Sequence, residues 1–170
     1  MMRAFFLLFV PIVVLTACHE ECSTESCTDY ASVFIDTADN TWVDGEYSLE
    51  LEGDEAVYSC TFTTPDDAPD ETGTWQAIDC TPTIDAFLVP FCESYEIGKP
   101  PSESCSPRPG KFYLEARIPG TPKNLHVVLT RGDETVLDRS TFIPLYATVQ
   151  PNGPDCGPTC QQYGSSFEIP

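Results

Sequence analysis

Along most of the chain, apolar and polar residues alternate with a period of two, the spacing of a strand buried on one face. In YASVFIDT (30–37), Ala31, Val33 and Ile35 share a face. In GEYSLELE (45–52), Tyr47, Leu49 and Leu51 point one way and Glu46, Ser48, Glu50 and Glu52 the other. After the turn signal Gly53-Asp54, AVYSCTF (56–62) puts Ala56, Tyr58, Cys60 and Phe62 on one side, so these two segments predict a hairpin. TWQAIDC (74–80) and IDAFLVPF (84–91) read as further strands. KFYLEARI (111–118) turns Phe112, Leu114, Ala116 and Ile118 inward. LHVVLT (125–130) and ETVLDRS (134–140) flank a turn at Arg131-Gly132-Asp133, and FIPLYATVQ (142–150) and QQYGSSFEI (161–169) follow. Residues 92–110, rich in proline and serine, read mostly as loop. No segment carries a sustained helical period, and no internal repeat is present.

About eight strands at near-regular spacing, with turn residues between them, predict an all-β, disulfide-stapled antiparallel β-sandwich. A small closed β-barrel is the alternative. The stretch DGEYSLELEGDEAVYSCTF resembles the opening of carboxypeptidase-regulatory-like and transthyretin-like domains. That resemblance implies a prealbumin-like sandwich; an immunoglobulin-like one fits the strand count equally.

The first residues break the alternation. MMRAFFLLFVPIVVLTAC places Arg3 before an apolar run from Ala4 to Val14, shorter than the roughly 20 residues needed to span a bilayer. This is the layout of a secretory signal peptide. Leu15-Thr16-Ala17-Cys18 resembles the lipobox of bacterial lipoproteins. The resemblance implies that the Cys18 thiol accepts a diacylglyceryl group, that cleavage falls after Ala17, and that the freed amine is acylated, commonly with palmitate. Two or more acyl chains anchor a protein stably where one does not. The chain then divides into a signal peptide (1–17), a lipidated Cys18 with a short tether (18–28), and a single β-sandwich domain (29–170).

The cysteine count changes the picture next. Setting Cys18 aside, eight of the nine cysteines remain: Cys22, Cys27, Cys60, Cys80, Cys92, Cys105, Cys156 and Cys160. An even number in an exported chain reads as a disulfide framework, stable in an oxidising compartment. Cys60–Cys80 and Cys92–Cys105 are the natural local pairs. Cys22, Cys27, Cys156 and Cys160 either pair locally or cross-link the two ends of the domain. Each terminal pair immediately precedes a predicted strand, so the cross-link is favoured if those strands are neighbours.

Eight basic against 27 acidic residues give a net charge of −19. Loss of residues 1–17 removes one basic residue, Arg3, and brings the net charge to −20. So acidic a surface repels nucleic-acid phosphates and anionic headgroups, which excludes a nucleic-acid partner. The densest acidic stretch, PDDAPDETG (65–73), reads as a solvated loop. Its Asp66, Asp67, Asp70 and Glu71 are hard oxygen ligands, so a weak calcium site is the alternative, although the EF-hand order is absent.

No metal or other cofactor is expected. The cluster His19, Glu20, Glu21 and Cys22 lacks a zinc spacing, the chain holds no CxxC, and the second histidine is His126. GxSxG, HExxH and P-loop signatures are absent, so no catalytic residue is assigned and the chain is not read as an enzyme. His126 falls on the strand face opposite Leu125, Val127 and Leu129 and reads as a surface residue. The Arg131-Gly132-Asp133 tripeptide is accounted for by turn chemistry. Trp42 and Trp75 are weak candidates for stacking on a ligand, and core positions account for both more simply.

The LTAC box, the CSTESC pair, the cysteine after GEYSLELE and the terminal YATVQPNGPDCGPTCQQ together resemble a group of cysteine-rich, myxobacterial-type secreted lipoproteins. The PNGPDCGPTC block is the most specific part. The resemblance implies an outer-membrane location, on the periplasmic or surface face, in a Gram-negative cell, and no particular activity. The leading expectation is a lipid-anchored, non-catalytic binding or structural module of the envelope, held to the membrane by the acyl chains on Cys18, with an envelope protein or glycan as partner. The alternatives are a carbohydrate- or ligand-binding accessory lipoprotein using Trp42 or Trp75 and, further off, a secreted hydrolase.

Overall fold

The computed structural model describes residues 26–54, 56–69, 74–95, 105–143, 145–153 and 156–170. Residues 1–25, where the signal peptide, the lipidated Cys18, Cys22 and most of the tether are expected, lie outside the described residues, as do Asp70 and Glu71 of the acidic loop.

Two sheets pack face to face, and neither closes into a barrel. The strands are β1 (Tyr30–Thr37), β2 (Gly45–Glu52), β3 (Val57–Thr64), β4 (Gln76–Ala77), β5 (Asp79–Thr81), β6 (Asp85–Tyr95), β7 (Cys105–Pro119), β8 (Asn124–Arg131), β9 (Glu134–Phe142), β10 (Ala147–Val149) and β11 (Cys160–Ile169). The first sheet runs β10-β11-β1-β7-β6-β4 and the second β5-β3-β2-β8-β9. Alternation places the core as expected. Ala31, Val33, Ile35, Leu49, Leu51, Leu114, Ala116, Val127 and Leu129 are fully buried between the sheets. No helix occurs among the described residues.

One pairing departs from the antiparallel expectation. β1 and β11, the first and last strands, run parallel, with Tyr30 opposite Gln162 and Thr37 opposite Ile169. Their beginnings therefore lie side by side, and Cys27–Cys160 joins them there with Cα atoms 5.6 Å apart. This is the cross-link between the ends of the domain. Asp29 reinforces it: its carboxylate accepts from the Gln161 N–H at 2.7 Å and its carbonyl from the Gly120 N–H at 2.9 Å. Cys156 is also disulfide-bonded, and the pairing of Cys22 lies outside the described residues. The two local pairs form as expected. Cys60–Cys80 joins β3 to β5 within the second sheet, and Cys92–Cys105 joins β6 to β7.

Three sequence-based assignments need correction. The segment 142–150 is not one strand: Phe142 ends β9 in the second sheet, and only Ala147–Val149 forms β10, in the first. The segment 74–80 is not one strand. Gln76–Ala77 pairs with β6 in the first sheet, and Asp79–Thr81 pairs with β3 in the second. Ile78 sits buried at the crossing, its N–H donated to the Ala86 carbonyl at 3.0 Å. The stretch 92–110 is not mostly loop either, because β6 continues to Tyr95 and β7 begins at Cys105. β1 pairs with β7 only over Leu114–Pro119, so the proline-bearing first half of β7 has one edge free of it. Proline lacks the N–H that a central strand must donate, and an open edge is where it is tolerated. Register shifts at Pro90/Cys92 and Cys92/Ser94 absorb the irregularity.

Trp42 is a core residue rather than a ligand platform. β1 stops at Thr37, and the loop after it takes its place beside β7. The Phe112 N–H is donated to the Asn40 carbonyl at 3.1 Å, and the Phe112 carbonyl accepts the Trp42 indole N–H at 2.9 Å. The indole stacks on Phe112 and meets Tyr47 and Phe62 edge-on, with only 5% of the residue exposed. Val43 locks the loop from the other side, its carbonyl accepting from the hydroxyls of Tyr47 and Thr64.

Candidate functional site

The inward positions of β1, β6 and β7 fill the core, so their alternates form the outer face of the first sheet. Pairing aligns those alternates in rows. Ser32, Arg117 and Asp85 form one row, and Phe34, Glu115 and Phe87 the next. An outer face would ordinarily be polar and wet. Here Glu115 is only 5% exposed and Ser32 only 4%. Phe34 and Phe87 stand directly beside Glu115 on the two neighbouring strands. Gly164, opposite Ser32 on β11, leaves room for the Phe34 ring: a Cβ there would come within 3.2 Å of Phe34 Cε2. The Phe34 ring also meets Tyr113 at 6.2 Å, and Trp75 meets Phe87 edge-on at 5.7 Å.

A buried carboxylate needs a partner. Arg117 supplies it, with Nε 2.7 Å from Glu115 Oε1. The guanidinium also lies over the Tyr30 ring, 5.3 Å from its centroid, a cation–π geometry. With Nε used, the two terminal nitrogens donate no hydrogen bond among the described residues. The carboxylate of Asp85, opposite Arg117 in the ladder, forms no hydrogen bond or ion pair among them.

These groups open into a cleft of about 410 Å³ at the end of the sheet where β1 and β11 begin. Tyr30, Asp85, Arg117 and Gln162 supply its polar and aromatic wall, Thr28 and Thr83 hydroxyls, and Ile84, Pro119, Val149 and Pro151 apolar surface. Cys27 is part of its lining, so the bridge that joins the domain ends also ties down one wall of the cleft. A concave site with a few convergent polar groups on an apolar wall is the form small-molecule sites take.

Of the two tryptophans singled out from sequence, Trp42 is buried on the inner side and Trp75 is 36% exposed beside Phe87 on the outer face. Tyr30, Asp85 and Arg117 were not singled out. Their signal lay in the complement of the inward set: Tyr30, Phe34, Phe87 and Tyr113 are large aromatic residues at positions that alternation assigns to solvent.

His126 lies on the outer face of the second sheet. Its Nε2 is 2.9 Å from Asp138 Oδ1 and its Nδ1 3.5 Å from Glu52 Oε2. The hydrogen bond to Asp138 raises its pKa from the ordinary value, with a smaller contribution from Glu52, against some desolvation. Ser140 stands opposite His126 in the ladder, and both line a cleft with Glu52. Both ring nitrogens face carboxylates, and Ser140 makes no hydrogen bond to the ring. The cluster thus lacks the nucleophile–base contact of a catalytic triad. At the turn between β8 and β9, Gly132 has φ 55°, which explains the glycine. Arg131 is folded back onto Glu134 at 2.6 Å. In the acidic loop, Asp67 accepts the Thr63 N–H at 2.6 Å, and no metal-holding group of histidine, cysteine or acidic residues occurs among the described residues.

No protein-family model matches the chain, and neither does any curated protein or any solved structure.

Proposed function

We propose that the chain is a lipid-anchored, non-catalytic binding module of a Gram-negative cell envelope, held by acyl chains on Cys18. The observation that carries this reading is where the domain is closed. Cys27 follows the Leu15–Cys18 box by nine positions and is bridged to the first residue of the last strand. A tether that short keeps the sandwich close to the anchor, and the bridge makes the tethered end rigid. Disulfides persist in the oxidising compartments outside the cytoplasm, which agrees with export. The cleft beside Tyr30 and Arg117 then opens near the anchored end and is the surface best suited to hold a partner.

Density-gradient fractionation of cells expressing the native chain and Cys18→Ser tests the reading. The native chain is expected with the outer membrane, and Cys18→Ser is expected as an unprocessed precursor. Recovery of the native chain in the soluble fraction, or solely with the inner membrane, overturns it.

A further inference from the structure

We infer that the cleft between Tyr30, Asp85 and Arg117 binds a neutral saccharide. This gives the proposed binding module its ligand class; it rests on that reading for the module being a binder and not for its anchoring. Three observations narrow the ligand. First, the cleft offers donors and acceptors side by side. The terminal nitrogens of Arg117 and the carboxylate of Asp85 stand on adjacent strands, opposite each other in the ladder and without an ion pair between them. Neighbouring hydroxyls of a sugar ring each donate and accept, and a planar fork beside a carboxylate matches such a pair.

Second, Arg117 is already paired with Glu115, so Asp85 leaves the site with one excess negative charge in a chain of net charge −19, which repels an anionic ligand. A neutral polyol meets no such repulsion and can accept from the Arg117 fork while donating to the Asp85 carboxylate, which a cation cannot do. Third, the apolar wall of Ile84 and Pro119 suits the C–H faces of a sugar ring, and about 410 Å³ falls within the roughly 300–1,000 Å³ of small-molecule sites. The arrangement is preorganised. Nε of Arg117 is held by Glu115, its planar face by Tyr30, and the cleft wall at Cys27 by the bridge to Cys160. Ordering cost on binding is correspondingly low.

The test is an array of neutral, amino-substituted and acidic mono- to tetrasaccharides, probed with the detergent-solubilised full chain. Titration calorimetry of the best neutral ligand follows. Binding to neutral saccharides is expected. Asp85→Ala removes an exposed side chain and is expected to weaken it at least tenfold. Arg117→Lys keeps the charge beside Glu115 but loses the fork, and the same loss is expected with the fold intact by circular dichroism. Trp75→Ala is expected to leave affinity within twofold. No binding across the array, binding confined to acidic saccharides, or loss in Trp75→Ala with Asp85→Ala unaffected would each overturn the assignment. Anchoring plays no part in this assay, so its outcome is independent of the fractionation.

Discussion

Replacing Trp42 by phenylalanine separates a structural role from a ligand-binding one. The substitution keeps an aromatic ring against Phe112 but removes the indole N–H and three ring atoms. The N–H is the group that satisfies the Phe112 carbonyl at 2.9 Å beyond the end of β1. A buried carbonyl stripped of its partner costs about 1–3 kcal/mol. The smaller ring leaves part of the space between Tyr47, Phe62 and Phe112 unfilled, at about 1–2 kcal/mol. The combined loss expected is about 2–5 kcal/mol, from a total stability on the order of 5–15 kcal/mol. For a domain of this size each kcal/mol lowers Tm by about 2–4 °C. Urea denaturation with the disulfides intact provides the assay, followed by far-ultraviolet circular dichroism and by the fluorescence of Trp75, the second of the two tryptophans. The midpoint is expected to fall with the slope unchanged. A loss below about 0.5 kcal/mol, the scale of an ordinary surface change, would refute the account of the loop as a substitute strand.

The pKa of His126, followed by NMR, should lie above its ordinary 6.5 and fall in Asp138→Asn. Because the folded-state value is the raised one, the stabilisation from this pair is full below about pH 6.5 and is lost as pH rises through the folded value; a titration at or below 6.5 contradicts it. Asp54 accepts from the backbone N–H groups of Lys123 and Asn124 and from the Asn124 side chain, and its pKa is lowered chiefly by the Lys123 bond. Its contribution is therefore present above its unfolded value near 3.8 and lost as pH falls through the folded one, and Asp54→Asn should flatten the acid limb of a stability–pH curve. Non-reducing peptide mapping should recover Cys27–Cys160, Cys60–Cys80 and Cys92–Cys105, with Cys156 bridged to Cys22; a fragment holding only Cys156 and Cys160 bridged to each other would contradict the closure of the domain ends.

Local periodicity carries the parts of the fold that local spacing determines. Tyr47, Leu49 and Leu51 alternate cleanly because β2 lies between β3 and β8 with one face in the core, and the hairpin follows from Gly53. The bridge between the ends was legible because each terminal cysteine pair precedes a strand. Its geometry rests on β1 and β11 being neighbours, a non-local pairing no short window contains. Ile78 hid the change of sheet: alternation through TWQAIDC reads alike whether one sheet or two receives it. Proline and serine after Cys92 masked a hairpin that a free edge permits. The cleft was illegible for the same reason as the terminal pairing. Tyr30, Asp85 and Arg117 belong to three strands far apart in sequence, and only the order β1-β7-β6 sets them together. Trp42 and Trp75 drew attention by residue type, yet one completes a ladder and the other edges an aromatic row.

Mass spectrometry of the N-terminal peptide of the native protein tests the proposed lipid anchor most directly. The expected peptide begins at Cys18 and carries a diacylglyceryl group on the thiol with a further acyl chain on the amine. A native N-terminal peptide without acyl groups, or one that still includes Ala17, would contradict the claim.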